Sequence, residues 1–374
     1  MSADPQDHGN NGADVFEDVV YQRLSTIPAR AVDWLWPGKI AKGKVSMIVG
    51  NPGLGKSQVC ASLAVVVSIG GQWPVDRTRA DQGSVIILSA EDDVDDTIRP
   101  RLEAAGANLD CVYILKAIKA EDEKGDSFER GFSLIGDTYR LGALIKELGD
   151  VQLVIIDPIT AYLGSADSHK NAEVRALLAP LQTIAQYLRV AILAVSHLTK
   201  ASGIDALQRV QGSVAFAAAA RAVWGVTKDK DSPQRRLFLP LKNNLGVDTS
   251  GYAYSIESHV LEGSDPPIGT SVIMWESAKI TTSAEEAFGQ QAKDYNEHSD
   301  IEDAKDFLRG LLADGPVPQR QVEADSKGAG HAWATIRRAQ KNLNIEAFKE
   351  GFKAPWLWSM PGRRRDDPLS HTDK

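Results

Sequence analysis

Residues 50–57 read Gly50-Asn51-Pro52-Gly53-Leu54-Gly55-Lys56-Ser57, which fits the pattern G-x-x-x-x-G-K-[ST] at every fixed position. An apolar run, Val45–Val49, enters this stretch, and a helical pattern leaves it at Gln58. Glycines let backbone N–H groups surround phosphate oxygens, and the helix start adds partial positive charge. Lys56 is suited to neutralise phosphate charge, and Ser57 to ligate Mg²⁺. Residues 50–58 are therefore predicted to hold a nucleotide; the alternative is a glycine-rich turn without a ligand.

Six short apolar runs surround this motif in the sequence. They are rich in β-branched residues and apolar at consecutive positions, as strands buried on both faces of a parallel sheet are. Helical spacing of apolar residues lies between them, at Gln58–Ser68, Tyr139–Leu148 and Ala172–Leu188. This alternation predicts a three-layer α/β domain. The predicted strands are Val45–Val49, Val85–Leu88, Val112–Leu115, Leu153–Ile156, Val190–Val195 and Val223–Val226.

Polar side chains follow three of these strands: Asp157, Glu91 and His197. The carboxyl ends of parallel strands meet at one edge of the sheet, where ligands bind. There, Asp157 is suited to hold Mg²⁺, Glu91 to polarise an attacking water, and His197 to sense the γ-phosphate. The alternatives are a strand-end turn for Asp157 and a structural core histidine for His197. The acidic residues from Asp92 to Asp96 are predicted to form a solvated helix N-terminus.

Length and composition exclude several classes of protein. The chain has 374 residues, of which 43% are hydrophobic and 25% charged, as in folded proteins of more than one domain. The net charge of −8 argues against a basic nucleic-acid coat, and two cysteines exclude a disulfide scaffold or a cysteine-based zinc site. The first twenty residues carry five acids and no Lys or Arg, which excludes a signal peptide, and Cys60–Ile69 is too short to span a bilayer. We expect a protein of the reducing cytoplasm without membrane contact.

The sequence predicts five segments. They are an acidic arm (1–28), the α/β domain (29–260), a linker (261–300), a small domain (301–361) and a basic, polar tail (362–374). The linker prediction rests on Gly and Pro residues between 263 and 269, with one possible strand at Ser271–Trp275. In the small domain, three helical patterns precede a hairpin, which is the order of elements in a winged helix. These elements are Ile301–Leu312, Gln319–Ala324, Ala332–Leu343 and the hairpin Ala347–Trp358.

The small domain concentrates positive charge. Nine Lys or Arg residues oppose two acids between Lys327 and Arg365, which favours contact with a polyanion, although a solubilising tail is the alternative. Its third helix would present Arg337 and Lys341 on one face with Trp333, which is either a contact or part of the core. A winged helix that docks a protein partner is the rival interpretation. The further basic residues expected to flank a duplex are Arg338, Lys349, Lys353 and Arg363–Arg365.

The motif at 50–57, Glu91, Asp157 followed by Pro158, and Ser196-His197-Leu198-Thr199-Lys200 resemble the RecA-fold ATPases. Within these, residues 30–258 are similar to the plasmid and phage RepA-type ATPases, which include a hexameric replicative helicase. The stretches that carry this likeness are Trp34–Gly38, Ser89–Asp92, Asp167–Lys170, Val174-Arg175, Gly212-Ser213 with Arg221, and Lys242–Gly246. A winged-helix-like tail also occurs on many relatives.

The resemblance implies ATP and Mg²⁺ as ligands and assigns site residues. Lys56 and Ser57 would bind phosphate and Mg²⁺, Asp157 would hold Mg²⁺, Glu91 would be the catalytic base, and His197 the γ-phosphate sensor. Arg221 matches an arginine finger that acts on a neighbour's ATP, and Lys242 a second basic contributor. One departure is Asn244, where many relatives carry the arginine of a Lys-x-Arg pattern. For Arg221 the alternative is a surface arginine after an alanine-rich helix.

In RecA-like rings, two loops face a central channel, and here they are Gly164–Asn171 and Thr199–Gly212. Their cations, Lys170, Lys200 and Arg209, suit contact with a single-strand backbone, although ordinary solvated loops are the alternative. The implied function is that of an ATPase that forms a hexameric ring and moves along DNA, like a helicase, in replication of a plasmid, phage or mobile element. The alternative is a DNA-binding regulator that ATP switches without translocation. A small-molecule kinase is disfavoured, because Glu91 and Arg221 suit attack by water.

Overall fold

A computed structural model describes residues 21–361, apart from residues 123, 165, 167–169, 200–204, 212–213, 247–249, 264, 314, 330, 350 and 352–353. The tail 362–374, with Arg363–Arg365, and residues 1–20 of the predicted arm lie outside the described residues. So do Lys200, Lys353, the Gly212-Ser213 pair and parts of both predicted channel loops. The described end of the arm contains an exposed 3₁₀ turn, Leu24–Thr26.

A nine-stranded sheet forms the centre of the protein, in the order β13-β12-β11-β10-β3-β9-β8-β4-β5. The strands from β10 to β5 in this order run parallel to one another, and β11, β12 and β13 extend the sheet in antiparallel fashion. The described strands are β1 (Trp34–Trp36), β2 (Ile40–Ala41), β3 (Val45–Gly50), β4 (Ser84–Ser89), β5 (Val112–Ile114), β6 (Ile118–Glu121), β7 (Ser127–Arg130), β8 (Val151–Asp157), β9 (Ala191–His197), β10 (Ala222–Lys228), β11 (Arg236–Asn243), β12 (Tyr252–Leu261), β13 (Ile268–Trp275), β14 (Val317–Pro318), β15 (Glu346–Phe348) and β16 (Leu357–Ser359).

Helices cover both faces of this sheet. Consecutive strand residues point to opposite faces, so Met47 of β3 packs in one core cluster with Leu141 and Leu181, and Ile48 packs in another with Leu63. The α/β/α layering predicted from the sequence is therefore confirmed. The described α-helices are α1 (Lys56–Ile69), α2 (Arg99–Ala104), α3 (Thr138–Leu148), α4 (Asn171–Leu188), α5 (Val214–Ala219), α6 (Ala284–Leu311), α7 (Gln319–Gly328) and α8 (Trp333–Asn342). Among the described helices, we find none that is long and apolar enough to cross a membrane.

All six strands predicted from continuous apolar runs are present, and they are the six parallel strands of the sheet. The segment 261–300, predicted to be a linker, carries regular structure instead. The Gly and Pro residues after β12 form the turn of a β-hairpin, β13 pairs with β12 along its whole length, and α6 begins at Ala284. The side chain of Ser283 caps α6 by accepting a hydrogen bond from the Glu286 N–H.

The hairpin is joined to the core by aromatic packing. The Trp36 ring stacks on Trp73 and Tyr252 with centroids 5.2 and 5.4 Å apart, and the Trp224 ring stacks on Phe238 at 4.7 Å. Trp275 of β13 meets the Tyr254 ring at 5.1 Å. Each such ring buries a large apolar area, so β11, β12 and β13 belong to the same core as the parallel strands.

The predicted elements of the C-terminal module are present. The end of α6, α7 and α8 pack around a core that includes Leu308, Ile336 and Trp358, and β14, β16 and β15 form a three-stranded antiparallel sheet. Trp333 packs against this core, with its ring 5.5 Å from that of Trp358, as the core interpretation expects. That the module is a winged helix that binds DNA stays a prediction.

Candidate functional site

The phosphate-binding motif connects β3 to α1 at the carboxyl edge of the sheet. Gly55, the N-cap residue of α1, has a φ of 85°, a left-handed conformation that favours glycine. A Cβ atom on Gly50 would lie 2.5 Å from the Val226 carbonyl oxygen, so β10 approaches the loop too closely for any side chain there. The predicted loop therefore has the conformation that its glycines allow.

Lys56 begins α1 and is buried, with 5% of its surface exposed. Its Nζ donates to the Asn51 carbonyl oxygen at 3.0 Å, which folds the side chain back across the loop. Burial lowers the pKa of Lys56, whereas the negative charges of Asp157 and Glu91 oppose that shift. The Asn51 carbonyl oxygen thus holds the ammonium group over the loop, and the charges of Asp157 and Glu91 favour its protonated form.

Asp157 ends β8 and is also buried. Burial raises the pKa of its carboxyl group, and a hydrogen bond from Ser57 and the charge of Lys56 act in the opposite direction. Two oxygen ligands therefore face each other across the start of α1, as the sequence predicts. Hydroxyl and carboxylate oxygens are the ligands Mg²⁺ prefers, and Mg²⁺ keeps several waters when one or two side chains hold it. The residues present thus fit this ion.

His197 links Lys56 to Glu91. The Lys56 Nζ lies 3.1 Å from His197 Nδ1, and His197 Nε2 lies 3.3 Å from Glu91 Oε1. An ammonium group can only donate, so Nδ1 accepts and Nε2 carries the proton that it donates to Glu91. Lys56 of the predicted phosphate-binding loop and the two strand-end residues His197 and Glu91 thus form one continuous hydrogen-bonded chain.

The loop after Glu91 contains contacts that sequence reasoning missed. Asp92 Oδ2 lies 2.6 Å from Arg101 Nη1 on α2, so Asp92 is not part of a solvated helix start as predicted. This pair lies at a cavity of about 30 Å³ that Ser57, Cys60 and Asp157 also line. In the sequence, Asp92 is followed nine positions later by Arg101. This spacing does not predict a contact unless the position of α2 is known.

A second cavity, a groove of about 360 Å³, lies between α1, α2 and β13 and reaches Gln58, the residue that follows the phosphate-binding motif. Gln58 is one of its lining residues, and the Gln58 Nε2 donates to the Ser271 hydroxyl at 2.6 Å. His259, Met274 and Arg101 line its walls. Because the linker prediction left β13 outside the domain, this groove could not be predicted from the sequence.

Arg221 lies at the amino ends of the parallel strands, whereas the phosphate-binding loop lies at their carboxyl ends. Its N–H donates to the Val45 carbonyl oxygen at 2.9 Å, at the start of β3, and its side chain is exposed. The loop begins five residues further along β3, about 16 Å away at the usual rise of a strand. Arg221 is therefore too far away to reach the phosphates of its own chain.

Lys242 lies beside Arg221 but faces inward. Its Nζ donates to the carbonyl oxygens of Ala217, Ala218 and Ala220 at 2.9, 3.0 and 2.8 Å, at the end of α5. Burial, and next the charge of Arg221, lower the pKa of Lys242. Lys242 therefore stabilises the turn that presents Arg221, where the sequence predicts a direct catalytic contribution.

The channel loops correct one prediction. Arg209 is 2% exposed, and its Nε donates to the Thr199 carbonyl oxygen at 3.4 Å, so it closes the base of its loop rather than facing solvent. Burial lowers its pKa. The same loop is attached to the site, because the Gln211 N–H donates to the His197 carbonyl oxygen at 2.8 Å. Lys170, in the other loop, is exposed and pairs with Glu173 at 3.0 Å.

Comparisons with known proteins match the part of the chain that carries most of this site. Residues 14–203, just over half of the chain, match the family model AAA_25, described as an AAA domain. The chain is 26% identical over 199 residues to DNA repair protein RAD51 homolog 4 of Bos taurus, and 26% identical over 209 residues to the protein of the same name from Mus musculus. Each match covers 51% of this chain and 57% of the relative, so the chain spans little more than half the length of these curated relatives.

Proposed function

This chain belongs to the AAA domain family AAA_25, and from that premise we propose that it is a RecA-fold ATPase that hydrolyses ATP between copies of itself and acts on DNA. The observation that carries the proposal is the chain of contacts from Lys56 through His197 to Glu91. It connects a phosphate-binding cation to a carboxylate suited to act as general base. Because His197 contacts both residues, a movement of Lys56 towards a γ-phosphate would also change the contact between His197 and Glu91.

Each residue has a role in this proposal. The N–H groups of residues 50–57 and Lys56 bind the phosphates, and Ser57 and Asp157 hold Mg²⁺, which when bound neutralises phosphate charge. Glu91 orients the attacking water and accepts its proton. We assign the base and ribose of ATP to the groove that Gln58 lines, since Gln58 directly follows the phosphate-binding motif in the chain.

Arg221 completes the site of a neighbouring copy. Its exposed side chain lies at the edge of the sheet opposite to its own loop, which suits a residue that acts on another subunit's ATP. Lys242 contributes as a positioning residue that holds the end of α5. A site divided in this way requires an oligomer, and we propose a hexameric ring, like that of the helicase among the RepA-type ATPases.

DNA is the proposed polymer partner. The relatives named above are DNA repair proteins, and the C-terminal module carries exposed cations on α8 and on its hairpin. We propose a helicase-like motor in the replication of a plasmid, phage or mobile element. Single-stranded DNA would contact the channel loops and duplex DNA the module. Strand displacement coupled to DNA-stimulated ATP turnover supports this motor, whereas DNA binding without stimulation favours the ATP-switched regulator.

Replacing Glu91 tests the hydrolytic site. We expect Glu91→Gln to bind ATP within a few-fold of the wild type, because the amide keeps the shape of the side chain, while phosphate release falls about 10²-fold or more. The measurements are titration with a fluorescent nucleotide and steady-state phosphate release. Glu147→Gln, on the exposed face of α3, is the matched control and should retain turnover. Equal losses of binding and turnover in Glu91→Gln would remove Glu91 from the role of base.

Charge reversal on α8 tests the DNA contact. Lys341→Glu should weaken duplex binding about tenfold or more and lower the salt dependence of the binding constant by one to two charges, with ATP turnover without DNA unchanged. The measurement is fluorescence anisotropy of a labelled duplex at several salt concentrations. Lys119→Glu, on an exposed position of β6, makes the same change in net charge and is the control. If both variants bind duplex DNA equally, the module is a protein-docking domain.

A further inference from the structure

The loop that carries Glu91 is attached to the rest of the protein on both sides of that residue. On one side, the Ala90 N–H donates to the Asp157 carbonyl oxygen at 3.1 Å. On the other, the Asp92 carboxylate meets the Arg101 guanidinium at 2.6 Å. Glu91 itself has 58% of its side chain exposed and contacts His197 at 3.3 Å. Its position is therefore set mainly by the two neighbouring attachments.

The attachment at Asp92 is strong and well supported. The two side chains are 27% and 25% exposed, so the pair is partly shielded from water, and a charge-assisted hydrogen bond of this length is stronger than a neutral one. The Ser89 hydroxyl accepts a hydrogen bond from the Asp92 N–H at 3.3 Å, which closes the turn formed by residues 89–92. Arg101 is in turn fixed by α2, whose Leu102 is buried in the core.

We propose that Arg101 is a positioning residue for hydrolysis, which holds Glu91 at the edge of the nucleotide site through Asp92. The inference rests on the proposed function, since it needs Glu91 to act as the base. Without the ion pair, the loop loses its attachment to α2, and Glu91 is free to move away from the attacking water. Displacement of a reacting group by about 1 Å can reduce a rate 10²-fold.

The ion pair between Asp92 and Arg101 also connects the surfaces that would bind the nucleotide to the loop that carries the general base, Glu91. Arg101 borders both the cavity beside Ser57 and Asp157 and the groove that we assign to the base and ribose. A change in Arg101 therefore affects the groove directly, whereas Asp92 lines the cavity but not the groove. This difference makes Asp92 the better position for separating nucleotide binding from the catalytic step.

The test is a set of variants of the full chain: Asp92→Ala, Arg101→Ala and the double variant. We expect each single change to lower kcat about tenfold, and the double variant to be no slower than the slower single one, because both remove the same contact. Asp92→Ala should keep the wild-type KM for ATP, and Arg101→Lys should recover part of kcat. The matched control is Arg99→Ala, which removes an exposed pair with Glu103 on the same helix and should leave kcat unchanged.

A second measurement separates positioning from a general loss of structure. In a Glu91→Gln background, Arg101→Ala should cause no further loss of kcat, because its effect acts through Glu91. Independent, multiplicative losses in that background, or a wild-type kcat in Arg101→Ala, would overturn the proposal. If Arg101→Ala does not fold, Asp92→Asn, which keeps the side-chain shape, is measured in the same way. If Glu91→Gln loses turnover but the Arg101 and Asp92 variants do not, the positioning role of Arg101 is refuted and the proposed function stands. If Glu91→Gln keeps full turnover, the proposed function is refuted as well.

Discussion

Lys56→Ala should lower kcat/KM for ATP by about 10⁴-fold, because two losses multiply. Removing a charged donor from the phosphates weakens nucleotide binding about 100-fold, and removing it from the transition state lowers kcat by a comparable factor. The fold should survive, since Lys56 contacts the Asn51 carbonyl and His197 but is not among the apolar core residues. Its burial already lowers its pKa, so loss of the charge also removes a cost of desolvation.

Binding of a fluorescent ADP analogue measures the expected loss of nucleotide binding, and steady-state phosphate release measures the loss of kcat. Circular dichroism at increasing temperature tests whether the fold survives. Lys146→Ala is the control, because Lys146 lies on α3 over the Tyr187 ring and away from the site. A Lys56→Ala protein that keeps more than about a tenth of wild-type turnover would refute the assignment of residues 50–57 as the catalytic phosphate-binding loop. A large drop in melting temperature would instead give Lys56 a structural role.

The parallel half of the sheet could be predicted from the sequence because burial on both faces leaves a continuous apolar run. In the antiparallel half, the sequence predicted only a possible strand at Ser271–Trp275, which is part of β13. Strands β12 and β13 each have an exposed face and mix polar with apolar side chains, and β12 exposes residues such as Glu257 and His259. The Gly and Pro residues between them are equally typical of a linker and of a hairpin turn. The aromatic packing of Trp275 that decides the matter is a contact between distant parts of the chain.

The candidate site divides in a similar way. Glu91, Asp157 and His197 could be predicted because a parallel sheet brings its strand ends to one edge, whatever the packing around them. The surroundings of a side chain could not be predicted. Arg209 and Lys242 are both cations near glycine- or alanine-rich segments, and the structure buries the first and directs the second to backbone carbonyls. The pair of Asp92 and Arg101 depends on where α2 packs, which its sequence does not specify.

Arg221→Ala should bind ATP almost normally yet hydrolyse it about 10³-fold more slowly, because an arginine finger acts on transition-state charge rather than on the bound substrate. Because Arg221 lies far from its own phosphate-binding loop, the proposed finger would act across a subunit interface. Lys242 holds the preceding helix end in place, so the loss in Arg221→Ala should reflect the missing guanidinium and not a displaced strand.

Mixing variants provides the decisive measurement. Arg221→Ala subunits keep an intact phosphate-binding loop, and Lys56→Ala subunits keep an intact Arg221, so a mixed oligomer contains some interfaces with both. Two preparations that are inactive alone should therefore regain part of the wild-type turnover when combined. The control replaces Lys56→Ala with the double variant Lys56→Ala/Arg221→Ala, which supplies no finger and should restore nothing. Full turnover of Arg221→Ala alone, at concentrations where the wild type is monomeric, would exclude both the finger and the need for an oligomer, because one chain would then hold every group that hydrolysis requires.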